Sequence, residues 1–147
     1  MSLRDWVVNG WLTEHRSSAE EIRNLLNLVD RDLRTSQVKE LDTDWKFAIA
    51  YNAALQAASA ALAASGHRAA REAHHYRVIE SLEFTIEADT KIIRKFDAFR
   101  KKRNLLSYEL GGTISEKEAE EMQALAMTLR FQVDRWIREK YPELVHE

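Results

Sequence analysis

The chain has no cysteine, one proline (Pro142) and only four glycines in 147 residues. Without cysteine there is no disulfide framework, no thiol nucleophile and no Cys-x-x-Cys metal unit, and the composition fits a reducing compartment, the cytoplasm. So few glycines and prolines leave little of the punctuation that short strands and tight turns need, and no Gly-rich phosphate loop or Gly-x-Ser-x-Gly elbow is present. Charge of one sign is missing as well. A formal net charge of -2 excludes general electrostatic attraction to nucleic acid, so a polyanion would have to meet a local patch. The N-terminus lacks a clean apolar run, since Arg4 and Asp5 stand beside Trp6, and no leader peptide is expected.

What is present is 45% hydrophobic and 31% charged residues, the balance of one globular domain over 1–147 with a real core. The one long stretch without charge, Phe47 to Ser65, is long enough to suggest a membrane span. Its composition argues otherwise: ten of its 19 residues are alanine, and Asn52, Gln56 and Ser59 are polar. A weakly apolar helix of this kind belongs at the centre of a bundle, so no membrane is expected.

Helical spacing runs through the whole chain and no period-two run of β-branched residues competes with it, so the fold class is all-α. The expected architecture is an up-and-down bundle of four or five main helices, with a short N-terminal helix around Leu3 to Leu12 and residues 1–17 as an appendage. Ser18 and Glu21 form a capping box ahead of inward-facing Ile22, Leu25, Leu26, Val29 and Leu33, and this helix ends near Gln37. Asp42 or Thr43 caps the Ala-rich helix and Gly66 stops it. A fourth helix is expected from Ala69 to Phe84. Glu87, Ala88 and Asp89 open the next one. Gly111-Gly112 breaks the chain, and Ser115 with Glu118 caps a long last helix whose inward residues include Met122, Leu125, Leu129, Val133, Trp136 and Ile137.

The segment Arg94 to Tyr108 carries the chemistry. Six of the ten residues from Arg94 to Arg103 are cationic, while Phe96, Phe99, Arg103 and Leu106 recur at spacings of three, four and three. One arginine therefore lies on the apolar stripe, where a guanidinium is costly unless an anion meets it. Arg100, Lys101, Lys102, Arg103, Asn104 and Tyr108 are the candidate nucleic-acid- or nucleotide-binding residues. If the helix continues, Asn104 faces Tyr108 one turn on. A solvated helix face, with Arg103 in a structural ion pair, is the competing reading of the same run.

An all-α chain with Arg103-Asn104 late in the sequence resembles the HEPN family, small helical domains of toxin–antitoxin pairs, ribonucleases and partners of minimal nucleotidyltransferases. The wider pattern, Asp44 to Leu55, then Glu72-Ala73-His74-His75-Tyr76-Arg77, then Arg100 to Asn104 and Tyr108-Glu109, is similar to a bacterial HEPN-like subgroup. The resemblance implies a homodimer with a shared cleft, with RNA, a nucleotide or a nucleotidyltransferase-type protein as partner.

The resemblance also implies a histidine five residues after the arginine for metal-independent RNA cleavage, and here that residue is Tyr108. A phenol titrates near pH 10 and shuttles protons poorly at neutrality. A tyrosine two residues further on, which in the family can be nucleotidylated, would fall on Leu110. The expected function is thus a catalytically silent binding module. The alternatives are a ribonuclease in which Arg103 stabilises phosphorane charge while Tyr108 or His75 replaces the imidazole, and a protein-interaction scaffold. His74 and His75 project about 100 degrees apart on a helix, so one site takes at most one of them. Glu72-x-x-His75 and Glu143-x-x-His146 match a di-metal unit, but the second lies beyond Pro142 at the chain end. No metal and no cofactor are expected.

Overall fold

The computed structural model describes residues 1–106 and 114–145, with Leu106 described by its backbone alone. Tyr108, Leu110, the Gly111-Gly112 break and His146 lie outside the described residues. The fold is essentially all-α: α1 (Leu3–Val8), α2 (Ala19–Ser36), α3 (Thr43–Ala64), α4 (His74–Glu80), α5 (Thr90–Leu106) and α6 (Glu116–Lys140). Short 3-10 turns at Ser81–Glu83 and Pro142–Leu144 follow α4 and α6.

α3 is the axle of the bundle, packed chiefly between α2 and α6. Ala50, Ala53, Ala54, Ala57, Ala58, Ala60 and Ala61 have no exposed surface, because a methyl side chain lets neighbouring backbones approach from every side. α3 is long and apolar enough to cross a membrane, and 72% of that apolar stretch is covered by the rest of the fold. Phe47 and Tyr51 are the large side chains on its buried surface, meeting Phe99 and Phe96 of α5 edge-on at ring separations of 5.4 and 5.7 Å.

The two capping motifs fare differently. Ser115 and Glu118 form the full reciprocal box at the start of α6. At α2 only half of the box exists: the Ser18 hydroxyl accepts from the Glu21 N–H at 3.1 Å, but the Glu21 carboxylate is held by His15 Nε2 at 2.7 Å. Asp42 occupies the N-cap of α3 without a side-chain cap bond. Gly66, at φ +90°, supplies the left-handed turn after α3 and its carbonyl accepts from the His15 N–H at 2.8 Å.

The expectation of helix throughout is corrected at one place. β1 (Leu12–Glu14) pairs antiparallel with β2 (His67–Ala69), Leu12 opposite Ala69 and Glu14 opposite His67. Because residues 67–69 are spent on this pairing and Ala73 takes a left-handed conformation at φ 52°, the fourth helix starts at His74 rather than Ala69. The first 17 residues are joined to the core through buried Trp6 and Leu12. Trp6 packs edge-on against Trp11 and Phe84, and the Arg77 guanidinium of α4 lies 3.7 Å from the Trp11 ring centroid, a cation–π contact that fastens the N-terminal segment to α4.

Candidate functional site

The basic end of α5 meets the first turn of α4 over the ring of Tyr51. α5 begins after Asp89, whose carboxylate accepts from the Lys91 N–H at 2.8 Å, so an acidic group does sit at its positive end. Phe96 and Phe99 are buried within the chain, which spends the apolar seam of α5 on intramolecular packing. Arg103 is on the same stripe, half-buried as the spacing predicts, with its guanidinium carbon 5.7 Å from the Tyr51 ring centroid. On the same tyrosine, the hydroxyl and His75 Nδ1 are 3.2 Å apart and the two rings 5.9 Å apart.

The cations of the run are not equivalent. Arg100 Nε donates to Asp97 Oδ1 at 2.7 Å, and its guanidinium carbon lies 5.4 Å from the Tyr76 ring. Exposed Lys101 reaches Asp97 at 3.7 Å, and Lys102 pairs with Glu118 of α6. Among the described residues Arg103 has no carboxylate partner, its contact being with Tyr51. Asn104 is exposed and lies next to Arg103 on the last turn of α5. The structure therefore brings together Arg100, Arg103 and His75, leaves Lys101, Lys102 and Asn104 at the rim, and does not describe Tyr108.

Electrostatics follow from this clustering. Burial pushes the Tyr51 hydroxyl up to about 12 despite the lowering effect of Arg103 and Arg100. His75 is held below the ordinary imidazole range, first by burial and then by the charges of Arg103, His74 and Arg100, so its neutral form is favoured. Glu80, one helical turn and a half along α4, is pushed up by burial and by Asp97, against a lowering hydrogen bond from Tyr76. The site is thus a mixed one: two arginines, two phenols, a neutral imidazole and the carboxylate of Asp97.

Tyr51 is the member that sequence reasoning missed as a site residue. Its signal was there, a lone phenol in an alanine helix, but an aromatic in a buried helix reads first as core. A cavity of about 720 Å³ lies elsewhere, between α6 and residues 86–92, lined by Ile92, Met127, Phe131 and Trp136 and by none of the candidate site residues. Among the described residues no three His, Asp or Glu side chains converge as a metal set would require, and Glu72 and His75 do not form part of one. No family model, curated protein or solved structure matches the chain.

Proposed function

We propose that the chain is a HEPN-like binding module of the cytoplasm that holds a phosphate group of RNA or of a nucleotide at the end of α5 and does not cleave it. Arg103 is the primary contact and Asn104 and Arg100 flank it, with Tyr108 a further candidate by its sequence spacing from Asn104. The observation that carries this reading is the inequality among the four cations. Arg100, Lys101 and Lys102 each have a carboxylate, whereas half-buried Arg103 has an aromatic face and no anion among the described residues. A guanidinium in that position is ready for a bidentate oxyanion ligand. Homodimerisation, or pairing with a nucleotidyltransferase-type protein, belongs to the same proposal. Phe96 and Phe99 are buried inside one chain, so a subunit interface at α5 would use its exposed basic face rather than its apolar seam.

One observation favours the ribonuclease reading. His75 at the hydroxyl and Arg103 at the ring both lie against Tyr51, the pairing of imidazole and guanidinium that a metal-independent phosphodiester cleavage uses. The two readings part on a single experiment with a fluorescent single-stranded RNA in chelator. A binding module raises the anisotropy and leaves the RNA intact. Cleavage by wild-type protein that disappears in Arg103→Ala and His75→Asn promotes the ribonuclease. Neither binding nor cleavage leaves Arg103 as a structural residue and the chain as an interaction scaffold.

A further inference from the structure

Tyr51 has no exposed surface, and among the described residues its hydroxyl has one hydrogen-bond partner, His75 Nδ1 at 3.2 Å. A phenol can donate or accept in such a contact, and the two choices have different costs. If His75 Nδ1 carried the proton and donated, the buried hydroxyl hydrogen of Tyr51 would be left without an acceptor. If the hydroxyl donates, only a spare lone pair on its oxygen goes unused, which is the cheaper arrangement. Edge-on packing against Phe96 and complete burial hold the ring with its hydroxyl away from water. The imidazole is half-buried, and among the described residues the groups that face it are cationic or neutral: Tyr51 from α3, His74 from its own helix, and Arg103 and Arg100 from α5, with Asp97 acting on Tyr51 and paired to Arg100. None of the described groups that act on His75 favours an imidazolium.

We infer that Tyr51 is a positioning residue whose buried hydroxyl donates to His75 Nδ1, fixing the neutral imidazole with its proton on Nε2 as a hydrogen-bond donor beside Arg103. An anionic oxygen at this site then accepts from an imidazole N–H and from a guanidinium, two donors set by one tyrosine. The same arrangement denies His75 the work of a general base, because the nitrogen not engaged by Tyr51 already holds a proton and the other has its lone pair occupied. The ligand half of this inference rests on the phosphate-binding reading above; the protonation half concerns the unliganded protein and stands apart from it.

The test is long-range proton–nitrogen NMR on the 15N-labelled full chain near neutral pH, with His75→Asn used to assign the signals. The expected spectrum places His75 Nδ1 at the unprotonated position and Nε2 at the protonated one; the reverse overturns the inference without any variant. In Tyr51→Phe, which keeps the ring and loses only the donor, the apparent pKa of His75 should rise by roughly half a pH unit to one, because a hydrogen bond to the neutral form has been removed. A fall would mean that Nδ1–H had been the donor and overturns the inference. Inorganic phosphate should then move the His75 Nε2–H signal in wild-type protein and not in Arg103→Ala. Phosphate that leaves that signal unmoved in both overturns the ligand assigned to this donor pair and the proposed function with it, while a reversed protonation pattern overturns the role of Tyr51 alone.

Discussion

Arg103 and Tyr51 share one contact but answer to different constraints, the first to charge and the second to burial. The tyrosine gives the sharper stability prediction. Its hydroxyl titrates near 12 in the folded chain and at the ordinary 10 when unfolded, so between those values the native state holds a proton that the unfolded state releases. The contribution is complete below pH 10 and is lost as pH rises through 12, a total of about 2–3 kcal/mol. Urea unfolding of wild type and Tyr51→Phe from pH 9 to 12 should show their stability difference closing by that amount and reversing sign in favour of phenylalanine; a constant difference would mean the hydroxyl is not desolvated. A second buried group acts at a distance from the site. Asp32 of α2 is buried, accepting from Gln56 and Asn52 of α3 at 2.7 and 3.2 Å and from Arg31 at 3.0 Å. Asp32→Ala removes the polar tie between the two helices and should cost about 1–3 kcal/mol in the same assay, whereas a loss below about 0.5 kcal/mol would make the tie dispensable.

At the scale of the element, α6 is where sequence spacing and structure agree most closely and where they differ most usefully. The box of Ser115 and Glu118 and the buried residues Met122, Leu125, Leu129, Val133 and Ile137 all follow from the sequence, because a helix of this length repeats its period many times over. Trp136 also satisfies that spacing, yet it is only half-buried, its ring edge-on to Tyr141 at 5.3 Å, because it sits at the border of the inward stripe beside Ile137. Leu129→Ala should therefore cost about 2–5 kcal/mol and Trp136→Ala about 1–3 kcal/mol, an ordering that chemical denaturation measures directly. Ser115→Ala should cost about 1 kcal/mol. Capping boxes are local patterns, and Ser18 with Glu21 marks the limit of reading them from sequence: the spacing is right, but a histidine six residues upstream takes the glutamate. The strands Leu12–Glu14 and His67–Ala69 were illegible for a related reason. Three residues carry no period, and their pairing is between segments far apart in the chain.

Across the whole molecule, charge and burial separate two faces. The buried alanine axle, the Lys102–Glu118 and Lys95–Glu121 pairs, and the Arg130–Asp30 contact at 2.9 Å between α6 and α2 hold the bundle, while the exposed Arg94 and Lys101 along α5 leave a basic flank on a chain of net charge -2. Of the candidate site, the arginine on an apolar stripe was legible because a cation breaking a helical seam is visible without coordinates. Its setting was not, since Tyr51 and His75 reach Arg103 from two other helices and no spacing connects them. Sedimentation equilibrium tests the expected homodimer, and a monomer at micromolar concentration would remove it. The most direct measurement of the central claim is the salt dependence of binding to a short single-stranded RNA, for wild type, Arg103→Ala and Lys101→Ala. The account predicts that Arg103→Ala weakens binding roughly tenfold or more while Lys101→Ala only flattens the dependence on log salt by about the share of one phosphate contact. Equal small losses in the two variants, or RNA binding that ignores salt, would contradict it.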